Sequence, residues 1–112
     1  MFSQKNRLTK DKEFDNVFKN GRSSYDKLIG VKAVRNGLPD NRFGIMVSVK
    51  VSKKAVERNK VKRRIRESVK AKLPAMKPGY DCVIIALPEV LEKDSGEIEK
   101  SVGFNFKRLR LC

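Results

Sequence analysis

A chain of 112 residues suffices for one domain with one modest core. Hydrophobic residues make up 39% of it, which excludes a wholly disordered basic tail, while 27 Lys and Arg against 13 Asp and Glu leave a formal net charge of +14. So large an excess repels itself when folded and calls for a polyanionic partner. Nucleic acid comes ahead of an anionic membrane surface, because neutralising phosphates releases condensed counterions.

No apolar run approaches the ~20 residues that span a bilayer, and the opening MFSQKNRLTK lacks the apolar core of a secretory signal. A cytoplasmic protein with no membrane partner is the expectation. Cys82 and Cys112 belong to no paired motif, so neither a disulfide framework nor a zinc site is expected. Cys82 lies in an apolar run and reads as a small buried hydrophobe. The chain has no His and shows no constellation of Asp, Glu, Lys or Tyr arranged for acid–base work. No catalytic residue and no metal site are therefore expected on it.

Residues 1–10 are polar and basic and read as an extended segment. A first helix is predicted over Asp11–Asn20, with Phe14, Val17 and Phe18 on one face at i, i+3, i+4. Gly21 then offers the left-handed conformation that closes a helix. Residues 22–25 can add a short edge strand. Residues 28–34 and 43–51 are apolar and read as two strands joined across Asn36-Gly37 and Pro39-Asp40-Asn41, an antiparallel hairpin. A long helix follows from about residue 52 or 55 to 73, with Val61, Ile65, Val69 and Leu73 as its buried stripe, ended by Pro74 and Pro78-Gly79. The nearly continuous apolar run at residues 80–87 predicts a central strand covered on both faces. A last helix over about residues 96–109 is capped by Ser95 and ends in Lys107-Arg108-Leu109-Arg110. The order of elements predicts an α+β fold, a sandwich of helices against one sheet, forming a single domain over residues 1–112.

The chemistry concentrates in the long helix. Between Lys50 and Lys72 stand 11 Lys or Arg and two acids, Glu57 and Glu67, so this segment's net of +9 is most of the whole chain's charge. With Ile65 at the centre of the buried face, a rotation of about 100° per residue puts Asn59, Arg63, Arg66 and Lys70 on one flank. Lys60 and Arg64 fall on the other, and Arg58 and Lys62 border the buried stripe. Such a helix can pack on a sheet and still present guanidinium forks to phosphate oxygens. A membrane-surface helix would need bulky apolar residues for the bilayer, whereas Val61, Ile65 and Val69 are required for the core. A helix kept basic only for solubility is the bland alternative, weighed at about one chance in ten because cationic stripes are used as nucleic-acid footprints, and charge alone does not separate RNA from DNA. Phe14 and Phe18, taken by themselves, favour core packing over base stacking by about two to one.

Ala55-Val56-Glu57-Arg58-Asn59-Lys60-Val61-Lys62-Arg63-Arg64-Ile65-Arg66-Glu67 closely resembles the signature of the bacterial ribonuclease P protein subunit. The family's Arg-Asn-Arg core stands here as Arg58-Asn59-Lys60. Leu8, Phe14, Val17-Phe18 and Gly21 look like its first helix, residues 44–50 like the strand before its basic loop, and residues 80–86 like its last strand. The resemblance implies a two-layer sandwich, a mixed sheet of about four strands with three helices, and a left-handed βαβ crossover. It also implies binding to the catalytic RNA of ribonuclease P, which removes 5′ leaders from precursor tRNA with Mg²⁺ bound mainly by the RNA. The RNA performs the cleavage, and no obligate protein partner is implied. Lys50, Lys53, Lys54, Arg58, Asn59, Lys60, Lys62, Arg63, Arg66 and Lys70 then fall on the face beside that RNA, and Phe14 and Phe18 in the cleft for the single-stranded leader. The pattern departs at Val49, where many members have Lys, at Lys32, where some have an aromatic on the cleft strand, and at Leu87 and the short tail of residues 107–112, where the usual ending has a basic residue following the strand. The competing functions are a structural RNA-binding protein, such as a ribosomal protein with a related sandwich, and a self-sufficient nuclease, which the missing His disfavours.

Overall fold

The structure is a computed structural model describing residues 3–112. Three helices, α1 (Asp11–Asn20), α2 (Ala55–Lys72) and α3 (Ser95–Arg108), pack on a sheet of four strands, β1 (Arg22–Tyr25), β2 (Ile29–Arg35), β3 (Arg42–Met46) and β4 (Tyr80–Ala86). The strands lie in the order β1-β2-β4-β3, and β1–β2 and β2–β4 are antiparallel while β3–β4 is parallel. The α+β sandwich and the mixed sheet match the expectation. The hairpin does not: β2 and β3 are separated by β4. Cys82 and Ile84 of β4 enter one apolar cluster, and Val83 and Ile85 join the other. A strand apolar on both sides is best placed at the centre of a sheet, and α2 supplies the long connection that parallel pairing requires.

Two further expectations are corrected near the first strands. Residues 1 and 2 of the segment expected to be extended lie outside the described residues. Gln4–Asn6 form a single 3-10 turn, after which Arg7 bridges to Phe43. β3 stops at Met46 rather than residue 51, because the chain turns there and the Val51 N–H donates to the Ser48 carbonyl. Val51 still tucks into the core.

α2 and α3 cover one face of the sheet. Val61, Ile65 and Val69 are buried there as the periodicity predicts, against Ile29, Val31, Phe43, Cys82 and Ile84. Leu73 is only half-buried and opens a 3-10 turn. α1 covers part of the opposite face through Val17, with Leu8 and Val83 beside it, and so adds a partial third layer. Gly21 is extended (φ −77°), not left-handed, and its N–H still closes α1 on the Val17 carbonyl. The cap of α3 is Asp94, not Ser95: its carboxylate accepts the Glu97 N–H at 2.9 Å, and the helix begins one residue earlier than expected.

Two polar networks lock the layers. Asn105, fully buried, donates to the Ile29 and Ser101 carbonyls and accepts from Ser24. Asp26 accepts from the Leu28 and Ile29 N–H groups and from the Ser101 hydroxyl, which fastens the β1–β2 turn to α3. Under α1, Arg42 makes a bidentate pair with Asp81, at 2.8 and 2.7 Å, and reaches Glu13 of α1 with its remaining nitrogen. Asn36 completes the partners of Asp81. Among the described residues no buried side-chain polar atom lacks a partner.

Candidate nucleic-acid interface

Seating Val61, Ile65 and Val69 in the core fixes the rotation of α2 and therefore the direction of every cation on it. Asn59, Lys60, Arg63 and Lys70 are exposed, as are Lys50, Lys53 and Lys54 in the preceding loop. Asn59 has no side-chain partner among the described residues, so both its donor and its acceptor are free. Lys62 and Arg66 are half-buried and line a depression at the β3 edge together with Arg7, Phe14 and Gly44. Arg58 differs from the rest: its guanidinium donates to the Ser52 carbonyl at 3.0 Å, bracing the basic loop against the helix. Glu57, the one acid in the first turn, accepts from the Ser52 hydroxyl. Arg64, on the other flank, donates to the Lys93 carbonyl at 2.9 Å. The structure thus gathers nine of the ten sequence-predicted contacts as outward or groove-lining groups and gives Arg58 a bracing role as well.

The second part of the site lies on the sheet face that α1 only half covers. Strand register aligns Tyr25, Gly30, Ile85 and Met46 in one row across all four strands. The next row holds Ser23, Lys32, Val83 and Gly44. α1 stands as a wall along this floor, with Phe14 lying over Gly44, where a Cβ would come within 2.4 Å of the ring. Phe14 is half-buried and Phe18 is 41% exposed, so the first ring is largely packing and the second is open. Tyr25 and Met46 are also open, at 43% and 42% exposure. The result is a trough whose largely apolar floor also carries Lys32, with one aromatic wall and the cations Lys62 and Arg66 at its β3 end.

Arg7, Tyr25, Ile85 and Met46 escaped the sequence reading. Their shared address depends on which strands are neighbours, which a hairpin of β2 and β3 would have scrambled. The nearby carboxylates are engaged. The Glu13 carboxyl is held below its ordinary value chiefly by the Lys10 N–H, helped by the Thr9 N–H and by Arg42. Burial, with a smaller push from the Asp81 charge, raises the Cys82 thiol far above its ordinary value and keeps it inert. Among the described residues no three Asp, Glu or Cys side chains converge to hold a metal, and no helix is long and apolar enough to cross a membrane.

The family model described as Ribonuclease P matches residues 2–110. The Ribonuclease P protein component of Clostridium botulinum (strain 657 / Type Ba4) is 42% identical over 100 residues, covering 88% of this chain and 89% of its own length. That of Alkaliphilus metalliredigens (strain QYMF) is 36% identical over 106 residues, covering 95% of each. Among solved structures, the Staphylococcus aureus RNase P protein superposes with a TM-score of 0.86 at 29% identity, over 95% of this chain and 96% of that one. The Thermotoga maritima RNase P protein gives 0.82 at 29% identity, over 91% and 96%. A basic helix, an aromatic-walled trough and matches across nearly the whole length converge: the chain belongs to the ribonuclease P protein family, whose members are the protein component of a tRNA-processing ribonucleoprotein.

Proposed function

We propose that this chain binds the catalytic RNA of ribonuclease P through the α2 face and the 5′ leader of precursor tRNA through the trough, assisting Mg²⁺-dependent maturation of tRNA 5′ ends in the cytoplasm. The observation that carries this reading is the juxtaposition of Lys62 and Arg66 with Phe14 at one end of a trough floored mainly by apolar residues. Phosphate-binding groups there share the trough with the open Phe18 ring, which can stack an unpaired base with little sequence preference. Cleavage belongs to the RNA. The chain has no His, and its described carboxylates and Cys do not cluster into a metal centre, so its own donor set does not fit Mg²⁺, which the RNA would mainly hold. The residues of this chain bind, orient and neutralise.

The test is reconstitution. Purified protein alone should leave precursor tRNA intact in Mg²⁺ and should stimulate cleavage at low Mg²⁺ only with the matching catalytic RNA. Cleavage by protein stripped of RNA would overturn the assignment of chemistry. On the assembled particle, Phe18→Ala should weaken binding of precursor more than of mature tRNA, by roughly 5- to 100-fold for one lost stack. Its melting temperature should fall only modestly, because the ring is already 41% exposed. A large stability loss with an unchanged precursor-to-mature ratio would remove Phe18 from the leader site.

A further inference from the structure

Lys32 is a cation set among aromatic rings. It projects from β2 onto the half-covered face, with its ammonium 6.0 Å from the Phe18 ring centre and 5.8 Å from the Tyr25 ring centre. Among the described residues it has no carboxylate partner within salt-bridge distance. The Tyr25 ring lies flat on the neighbouring strand, since a Cβ built at Gly30 would sit 2.1 Å from its Cε2. Only glycine at position 30 leaves room for that placement. The tyrosine therefore shows one face outward at the far end of the trough from Lys62 and Arg66.

Resting on the leader-binding reading above, we propose that Tyr25 and Lys32 form a second nucleotide subsite, taking an unpaired nucleotide of the leader. Tyr25 supplies the stacking face and Lys32 the contact to that nucleotide's backbone phosphate. An ammonium held only by two ring faces is weakly held, and a phosphate offers a stronger, charge-assisted bond. On binding, Lys32 turns from the rings to the phosphate and uncovers Tyr25 for the base. The occupant follows from charge and shape. A lone cation without a counter-charge selects an anion, and a flat exposed ring beside it selects a planar group attached to that anion. The subsite also divides the labour along the trough, with phosphate contacts at both ends and apolar floor between.

The experiment compares precursor and mature tRNA on the reconstituted particle from 50 to 200 mM salt. For Lys32→Met, the salt slope of the precursor-to-mature affinity ratio should flatten by about 0.7, one single-strand phosphate, so the variant's deficit shrinks about 2.5-fold across that range. Lys32→Arg should restore the slope. Tyr25→Ala should lower the ratio roughly 5- to 100-fold, and Tyr25→Phe, which keeps the ring, should not. An unchanged slope in Lys32→Met, or a Tyr25→Phe defect equal to that of Tyr25→Ala, would overturn the subsite while leaving the leader reading intact. A wild-type particle that binds precursor and mature tRNA equally would remove the leader reading and the subsite with it. Altered preference among leader sequences at constant salt slope would show Lys32 reading a base, and would overturn the phosphate contact.

Discussion

Arg42→Met is expected to destabilise the fold by about 3–5 kcal/mol, the range for removing one partner of a buried ion pair. Asp81 is only 4% exposed, and its two carboxylate oxygens each accept from this guanidinium. Without it, a charge on the central strand keeps only the Asn36 amide. For a chain of this size the loss corresponds to on the order of 10–20 °C in melting temperature. The double variant Arg42→Met with Asp81→Asn should recover a substantial part, because the penalty lies mostly in the stranded charge. A melting temperature within about 3 °C of wild type for Arg42→Met would show that Asp81 finds solvent and that the network is not structural. The same network carries an acid sensitivity. Glu13 titrates below its ordinary value in the fold, so its contribution is fully present above about pH 4.5 and is lost as pH falls through the depressed folded value. Glu13→Gln should flatten that limb of a stability–pH curve.

Changing Arg63 and Arg66 together to Ala should weaken binding to the catalytic RNA and flatten its salt dependence. Two phosphate contacts account for about 1.8 in the slope of log affinity on log salt, so the deficit should shrink roughly tenfold between 50 and 200 mM. Neither guanidinium has a hydrogen-bond or ion-pair partner among the described residues, and both lie off the Val61–Ile65–Val69 stripe, so the melting temperature should hold. Lys77→Ala with Lys100→Ala removes the same charge from exposed positions elsewhere and separates local contact from overall field. If the two double variants show equal slopes, the α2 flank does not face RNA.

The helices were legible in the sequence because each carries its own evidence. α1 has its i, i+3, i+4 face and its boundaries at Asp11 and Asn20, and α2 has an apolar stripe every four residues that sets its rotation. The cation positions followed from that rotation alone. Strand pairing is different, because it is decided by what each strand buries against others distant in sequence. Short loops between apolar runs favour hairpins, and residues 36–41 look like one. The counter-signal lay in β4, whose apolar residues on both faces required neighbours on both sides. Position in the trough was legible only for α1, since Tyr25, Ile85 and Met46 meet through register. The caps at Asp94 and Gly21 turned on local geometry, with Asp a better acceptor one residue earlier and Gly21 needed in an extended conformation leading into β1.

The insertion of β4 between β2 and β3 has a consequence for the order of assembly. A growing chain emerges from its N-terminus, so β3 and the whole basic helix exist before the strand that joins them to β2. Until residue 86 has been made, β3 lacks its ladder partner, and Val61, Ile65 and Val69 lack Cys82 and Ile84 to cover them. These contacts span long separations in sequence, which slows their formation. The nascent α2 is therefore a strongly cationic segment with an uncovered apolar stripe, synthesised on a ribosome rich in RNA. Release of the finished C-terminal half gives that helix its fixed orientation, and with it the difference between indiscriminate attraction to polyanions and a directed face.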